Sequence, residues 1–350
     1  MANFDSVESV TELGKTHPEL EKQLETAELS IVVTLPFEQV VQLFKSNPQP
    51  VPGTSDLEFT AQASMRDGYQ NAYRVHRPDN SSVTPLVVLV HGGGFVIGHN
   101  SHVSVYSRAI AQLYGVTVVN VSYRLAPEHP FPAAPNDVWD AVEWLTRPEA
   151  AHDLKVDTSL GFYLGGVSAG ANLAAVTAQR WVTDQASPKL NGVWLCVPYV
   201  LEADLVPSKY KHLWFSREQN AEAMIINKKA IAFCTKAYAH DFSSPLWSPF
   251  AAANAHTGMP PVYFQVAGQD PLRDDGLIYE KVLRENKVST KLDVYPGVPH
   301  GFAEVFPELA ISRKASLDTL AGFGWLMGKE VEKAAVAKAW DDSVATQKSL

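Results

Sequence analysis

A serine enclosed by glycines is the most reactive feature of the sequence. Gly166-Val167-Ser168-Ala169-Gly170 follows a short apolar run at residues 161–165 and precedes a helix-like segment at 169–182. A nucleophilic serine needs a tight, strained turn between strand and helix, and small residues two positions away allow the backbone to approach closely. The pattern therefore predicts a nucleophile elbow, with Ser168 attacking a carbonyl carbon.

A glycine-rich loop follows another apolar run, at residues 86–90. Its sequence is His91-Gly92-Gly93-Gly94-Phe95, so several backbone N–H groups are exposed together. An acyl-transfer enzyme needs such donors about 3 Å from the developing oxyanion. A phosphate-binding Gly-x-Gly-x-x-Gly motif fails because residue 97 is Ile, and a flexible turn is the remaining alternative. Together with Ser168, the loop favours an oxyanion hole.

A base and an acid follow at the ends of two later runs. Asp270 comes after residues 262–267 and His300 after residues 292–295. A serine hydroxyl needs a base to take its proton, and the base needs a carboxylate to orient it. The carboxyl ends of parallel strands share one edge of the sheet, so Ser168, Asp270 and His300 are predicted to meet there as a catalytic triad.

Three other carboxylates compete for the role of the acid. Asp274 and Asp275 lie about one helical turn beyond Asp270 and are interpreted as solvated or helix-N-terminal charges. Asp204 follows the run that ends near residue 197, but it falls within a segment that reads as an insertion. Asp270 is therefore preferred.

Neither the histidines nor the cysteines form a metal-binding pattern. His91, His99 and His102 are close in sequence, but no carboxylate or cysteine is spaced to complete a site. Cys196 and Cys234 are far apart and have no Cys-x-x-Cys spacing. We expect no metal, no cofactor and a reducing compartment.

The elements that must position these residues alternate along the chain. Residues 57–63 and 70–76 flank a turn at Asp67-Gly68 and predict an antiparallel pair. Short β-branched runs then alternate with helix-like segments, which is typical of an α/β fold with a mostly parallel central sheet flanked by helices. The predicted strands are 86–90, 116–121, 161–165, 193–197, 262–267 and 292–295, and the predicted helices include 136–145, 169–182, 276–285 and 312–327.

Two segments do not fit this alternation and are predicted to form a helical cap above Ser168. Residues 1–50 precede a proline-rich stretch at 46–55, and residues 199–245 are helix-rich and aromatic. Residues 1–335, with the cap included, are predicted to form a single domain, and residues 336–350 a C-terminal tail. Four aromatic residues are candidates for an apolar substrate pocket, with ordinary packing as the alternative: Phe95, Tyr199, Trp214 and Phe215.

Several separated blocks resemble the hormone-sensitive-lipase-type branch of the α/β-hydrolases, a family of carboxylesterases and lipases. These blocks are 91–95, Tyr123-Arg-Leu-Ala-Pro-Glu-His-Pro-Phe-Pro-Ala-Ala134, 166–170, Asp270-Pro-Leu-Arg-Asp274 and His300-Gly-Phe302. The resemblance implies an α/β-hydrolase fold with a helical cap. It also implies that Ser168 is the nucleophile, His300 the base and Asp270 its orienting carboxylate, and that the N–H groups of Gly93, Gly94 and Ala169 form the oxyanion hole.

The elbow departs from the family pattern at two positions. Val167 stands where Asp or Thr is usual, and Ala171 where a second glycine is usual. These changes touch neither the triad nor the oxyanion positions, so they bear on substrate and local backbone support.

Composition narrows the substrate to a small molecule. The chain has 29 Lys and Arg against 38 Asp and Glu and no run of five like charges, so nothing supports a nucleic-acid surface or a polybasic membrane patch. Residues 1–8 lack the pattern of a secretory signal, and no apolar stretch approaches the roughly 18 residues of a membrane span. We expect a cytoplasmic protein, and the resemblance implies a homodimer.

The predicted activity is hydrolysis of short- or medium-chain carboxylic esters, or of a small natural-product ester or lactone, through an acyl-serine. A biosynthetic lactonase, acyltransferase or carbon–carbon hydrolase with the same triad is the alternative. A non-catalytic small-molecule receptor on the same fold is disfavoured because all three triad residues are present.

Overall fold

One eight-stranded sheet organises the computed structural model, which describes residues 4–26, 29–46, 55, 57–79, 82–252 and 254–349. The strand order across the sheet is β1-β2-β4-β3-β5-β6-β7-β8. The strands are β1 (Glu58–Ser64), β2 (Gln70–His76), β3 (Leu86–Val90), β4 (Thr117–Val121), β5 (Phe162–Val167), β6 (Gly192–Cys196), β7 (Val262–Ala267) and β8 (Thr290–Tyr295). Each predicted strand is therefore present, with ends that differ by two residues at most.

The sheet is antiparallel only at one side. β2 pairs antiparallel with β1 and β4, whereas every pair from β4 through β3, β5, β6 and β7 to β8 is parallel. The short apolar runs reflect burial on both faces. In β3, Leu86 and Val88 enter one core while Val87 and Leu89 enter the other, as the two-residue period of a strand requires. The predicted α/β-hydrolase fold class is confirmed.

Helices cover both faces of the sheet. They are α1 (Val7–Glu12), α2 (Pro18–Thr26), α3 (Ile31–Thr34), α4 (Phe37–Ser46), α5 (Ser104–Tyr114), α6 (Ala133–Leu145), α7 (Pro148–Leu154), α8 (Ala169–Thr183), α9 (Ser216–Gln219), α10 (Lys228–Tyr238), α11 (Arg273–Glu285), α12 (Phe302–Val305), α13 (Ala310–Met327) and α14 (Lys333–Ser349). α5 and α13 share one core, while α6, α8 and α11 share the other. No described helix is long and apolar enough to cross a membrane.

The N-terminal helices and the segment after β6 pack against each other. Phe37 of α4 meets Phe233 of α10 edge to face, with ring centroids 6.2 Å apart. Lys45 near the end of α4 donates to Glu128 at 2.8 Å and to the carbonyl of Ala126 at 3.3 Å, which ties α4 to the loop before α6. The proline-rich boundary predicted at 46–55 falls mostly on residues 47–54, which lie outside the described residues.

The sequence predicts a C-terminal tail at residues 336–350, but the described part of that segment, through residue 349, is helical. α14 packs along α5, and its Val336 is buried in the core that α5 and α13 share. Arg108 of α5 donates to the carbonyl of Ser343 at 3.1 Å and to Gln347 Oε1 at 2.6 Å. The low amphipathicity of this segment does not predict that it packs against another helix. Its anchoring hydrogen bonds come from Arg108, more than 200 positions away in the chain.

Candidate active site

The serine predicted as nucleophile lies on a strained turn between β5 and α8. Ser168 has φ 56° and ψ −119°, a left-handed backbone that costs a residue with a side chain about 1–3 kcal/mol. The neighbouring glycines leave room for the turn. A methyl group on Gly166 would overlap the carbonyl oxygen of Gly170, and one on Gly170 would overlap that of Val90 in β3.

The structure brings the three predicted triad residues into one hydrogen-bonded chain. His300 Nε2 lies 2.9 Å from Ser168 Oγ, and His300 Nδ1 lies 2.7 Å from Asp270 Oδ2. An Nδ1–H that donates to Asp270 leaves Nε2 free to accept the proton of the serine hydroxyl. Asp270 is fully buried and His300 is 6 % exposed, so little water competes for these bonds.

Neighbouring backbone fixes the acid and the histidine loop. The second carboxylate oxygen of Asp270, Oδ1, accepts the N–H of Leu272 at 2.7 Å. Asn220 Nδ2 donates to the carbonyl of Asp270 at 2.9 Å. The turn before His300 is held by the N-terminal segment, because Gly297 N–H donates to the carbonyl of Leu13 at 2.8 Å. Both parts of the predicted cap thus support the triad.

The glycine loop lies beside the nucleophile. A methyl group on Gly92 would come within 3.3 Å of Ser168 Cβ, which places the loop against the elbow. Gly93 and Gly94 have φ of 120° and 60°, conformations that favour glycine. Among the described residues, no acceptor is paired with the N–H of Gly93, Gly94 or Ala169. Free N–H groups beside a serine are the donors that a developing oxyanion requires.

His91, at the start of this loop, has a supporting role. Its ring stacks on Tyr123 with centroids 4.4 Å apart, and its Nδ1 lies 2.8 Å from the carbonyl oxygen of Gly92. Burial lowers the pKa of His91 to about 3, so its imidazole stays neutral at neutral pH. Within the described ranges, no group of three or more His, Cys, Asp or Glu side chains is placed to hold a metal ion.

Asp275 lies in the first turn of α11, as predicted, but it is buried rather than solvated. Its Oδ2 accepts the N–H groups of Val200 and Leu201 at 3.0 Å each, and Arg217 pairs with its Oδ1 at 3.0 Å. Burial raises the pKa of Asp275 to about 6, although Arg217 and the two N–H groups favour its charged form. This carboxylate therefore anchors the start of the segment that follows β6.

Asp274 anchors the same segment further along. It is fully buried, and its Oδ2 accepts the N–H groups of Phe215 at 2.7 Å and Ser216 at 2.6 Å. Asp204, the third rival acid, is exposed in a short 3-10 helix. Since His300 Nδ1 bonds to Asp270, neither residue occupies the position of the acid.

The four aromatic residues proposed for the substrate pocket occupy different surroundings. Phe95 is 1 % exposed and stacks on Tyr238, with centroids 4.0 Å apart. The hydroxyl of Tyr199 donates to Glu202 at 2.6 Å. Trp214 Nε1 donates to Asp275 at 3.3 Å, and Phe215 packs under the guanidinium of Arg273. Their role in binding substrate stays a prediction.

Asn172 supports the site from the start of α8, and no motif in the sequence marks it. It lies one turn into α8 after Ser168, it is fully buried, and its Nδ2 donates at 2.6 Å to the carbonyls of both Tyr199 and Trp247. Tyr199 is the first residue of the predicted cap segment 199–245, and Trp247 follows that segment by two residues. An asparagine in the helix that follows the elbow was the only signal, and it did not reveal its partners.

Two sequence comparisons relate this chain to known proteins. Residues 87–304 match the sequence profile of a family described as having the alpha/beta hydrolase fold. The chain is 32 % identical over 260 residues to the versiconal hemiacetal acetate esterase of Dothistroma septosporum, and the match covers 73 % of this chain and 78 % of that protein.

Solved structures agree with this result. The esterase of the archaeon Pyrobaculum calidifontis superposes with a TM-score of 0.71 and 31 % identity, covering 89 % of this chain and 99 % of that one. Vibralactone cyclase superposes with a TM-score of 0.80 and 27 % identity, covering 91 % and 96 %.

Proposed function

The chain belongs to the α/β-hydrolase family, in its hormone-sensitive-lipase-type branch, and on that premise we propose that it is a serine carboxylic-ester hydrolase in which Ser168 is the nucleophile. The chain of hydrogen bonds from Ser168 through His300 to Asp270 is the observation that carries the proposal. Asp270 holds the tautomer in which His300 can act as a base, and the N–H groups of Gly93, Gly94 and Ala169, which have no acceptor among the described residues, are the proposed oxyanion donors.

Acylation follows from this geometry. His300 Nε2 takes the proton of Ser168 as Oγ bonds to the ester carbonyl carbon, and the carbonyl oxygen becomes an oxyanion that accepts the N–H groups of Gly93, Gly94 and Ala169. The tetrahedral intermediate then collapses. His300 gives its proton to the departing alkoxide, an alcohol leaves, and Ser168 carries the acyl group.

Deacylation repeats these steps with water. His300 takes a proton from a water molecule as its oxygen bonds to the acyl carbon, and the second tetrahedral intermediate releases a carboxylic acid and restores the Ser168 hydroxyl. Asp270 remains ionised throughout and stabilises the imidazolium that forms in each half-reaction. Only the triad, the oxyanion donors and water take part.

Ser168→Ala tests the assignment directly. With p-nitrophenyl butyrate as substrate, we expect kcat/KM to fall by at least about 10³-fold, because the covalent route is lost while the fold remains. A fluorophosphonate probe should label the wild type and leave Ser168→Ala unlabelled. Ser159→Ala, which changes an exposed serine in the short 3-10 helix before β5, is the matched control and should keep full activity. Full activity of Ser168→Ala would refute the proposal.

The substrate is proposed to be an ester with a short or medium acyl chain. Phe37 from α4 and Cys234 from α10 both face Gly94, so helices from the N-terminal part and from the segment after β6 enclose the site. We expect activity on p-nitrophenyl esters to fall once the acyl chain is longer than about C8 to C10. A steady rise up to C16 esters would contradict this enclosure.

A second candidate function is lactone formation or another acyl transfer with the same triad. The extensive similarity to vibralactone cyclase favours it, because an acyl-serine can be attacked by a hydroxyl group as well as by water. Products formed from an activated ester in the presence of an added alcohol, thiol or internal hydroxyl group distinguish the two activities. Labelling by the fluorophosphonate also separates an enzyme from a non-catalytic receptor.

The remaining proposals concern the class of substrate, the cellular location and the oligomeric state. The 38 acidic residues outnumber the 29 basic ones, which disfavours nucleic acid as a partner and agrees with a small-molecule substrate. A cytoplasmic location and a homodimer stay predictions, to be checked by fractionation of cells and by the mass of the protein in solution.

A further inference from the structure

One face of α10 packs directly on the loop that carries the proposed oxyanion donors. Cys234 and Tyr238 are four residues apart, so they project from the same side of the helix. A methyl group built on Gly94 would come within 2.5 Å of Cys234 Sγ and 3.7 Å of Phe37 Cζ. The ring of Tyr238 lies flat on that of Phe95, with centroids 4.0 Å apart and planes 2° apart.

This contact meets the loop where its backbone is least favourable. Gly94 has φ 60° and Phe95 has φ 65°, both in the left-handed region. Glycine accepts that region, but a residue with a side chain does so only when its surroundings hold it there. The carbonyl of Phe95 accepts the N–H of Ala126 at 2.8 Å, which fixes one side of the peptide. The stacked ring of Tyr238 fixes the side chain.

The contact is apolar on both sides. Burial raises the pKa of the Cys234 thiol to about 12, so the thiol is neutral and packs as a small apolar group. The hydroxyl of Tyr238 is buried and has no hydrogen-bond partner among the described residues. The ring of Tyr238, and not its hydroxyl, is therefore the part that supports Phe95.

We propose that Cys234 and Tyr238 are positioning residues for the oxyanion hole: they hold Gly94 and Phe95 in the left-handed conformation that aims the loop N–H groups at the reacting carbonyl. Helix α10 is thus part of the machinery for transition-state stabilisation as well as a cover for the substrate. This inference rests on the proposed function, because it assigns a role in the same reaction.

Tyr238→Leu is the principal test, with p-nitrophenyl butyrate as substrate. Without the stacked ring, Phe95 can relax to negative φ and rotate the neighbouring peptide, so we expect kcat to fall about 10- to 100-fold, less than the 10²- to 10³-fold cost of deleting an oxyanion donor. KM should stay within about twofold. Tyr238→Phe keeps the ring and should restore activity to within about twofold of the wild type.

Two further variants separate positioning from loss of stability. Phe323→Leu removes a fully buried aromatic ring from α13 on the other face of the sheet, and it should lower the melting temperature without changing kcat. Cys234→Ala removes only the sulfur, so it provides the test if Tyr238→Leu does not fold. We expect it to lower kcat about three- to tenfold with KM unchanged.

A tetrahedral inhibitor gives a readout that does not depend on turnover. An alkylboronic acid bonded to Ser168 Oγ places an oxygen in the oxyanion hole, so its Ki should rise in Tyr238→Leu by about the factor by which kcat/KM falls. A Tyr238→Leu enzyme with wild-type kcat and boronate affinity would overturn the inference, as would a Phe323→Leu enzyme impaired to the same degree. Loss of the proposed function itself would show separately, as full activity in Ser168→Ala.

Discussion

Asn172→Ala should lower the free energy of unfolding by more than the loss of one hydrogen bond would, because its amide group donates to two carbonyls. Asn172 Nδ2 donates at 2.6 Å to the carbonyls of both Tyr199 and Trp247, which lie at the two boundaries of the predicted cap segment 199–245. The site is fully buried, so water cannot replace the lost donor. Each buried acceptor left without a partner costs about 1–3 kcal/mol, which gives about 2–6 kcal/mol for the pair.

Urea unfolding followed by tryptophan fluorescence measures this cost as a shift of the midpoint. Asn286→Ala is the matched control, because its Nδ2 also donates to a backbone carbonyl, that of Val282 at 2.8 Å, but from an exposed side chain. Water can replace the donor there, and we expect a change below about 0.5 kcal/mol.

The same variant should affect catalysis through the segment that Asn172 holds. Once its ends are released, the helices over the site dock less firmly, so KM for p-nitrophenyl butyrate should rise while fluorophosphonate labelling of Ser168 persists. A decrease in the free energy of unfolding of less than about 1 kcal/mol in Asn172→Ala, or one no larger than in Asn286→Ala, would contradict this role of Asn172.

Three further predictions test other parts of the structure. Gly170→Ala should abolish activity and soluble expression, because its methyl group would overlap the carbonyl oxygen of Val90; a stable, active variant would show that the elbow can relax. Glu58→Gln should lower the free energy of unfolding in urea by about 3 kcal/mol, because it removes the carboxylate that accepts a 2.6 Å hydrogen bond from the fully buried Arg74. A decrease below about 1 kcal/mol would count against this role of Glu58. Burial lowers the pKa of His91 to about 3, so its contribution to stability is complete above about pH 6.5 and is lost as the pH falls toward 3. The wild type should therefore lose about 2 kcal/mol more than His91→Phe between pH 7 and pH 5, and equal losses would exclude the histidine as the cause.

The local parts of the fold were predictable from the sequence. β3 and β7 match their predicted bounds, and the helix after the elbow differs from its prediction by one residue. Side-chain periodicity and turn chemistry act over a few residues, so they are visible in the chain itself. The same holds for the residue types and order of Ser168, Asp270 and His300, because each follows the end of a strand.

The pairings between distant positions were not predictable in this way. Asp275 and Asp274 read as helix-terminal charges, yet both are buried and bind backbone N–H groups some 60 to 75 residues away. The sequence predicts a tail in the region of α14, and the hydrogen bonds that hold this helix come from the distant Arg108. Such contacts depend on which strands are neighbours and which faces the helices cover, and periodicity within one segment does not contain that information.

The sequence by itself determined which residues could carry the proposed chemistry: a serine on a glycine-lined turn, a histidine and an aspartate that each follow a strand, and a glycine-rich loop. The tertiary structure decided how that chemistry is held. It paired His300 with Asp270 among the carboxylates and placed α10 on the glycine loop proposed to hold the oxyanion. The physical reason is that reactive groups are local in the chain, whereas their support comes from packing between segments that the sheet order brings together.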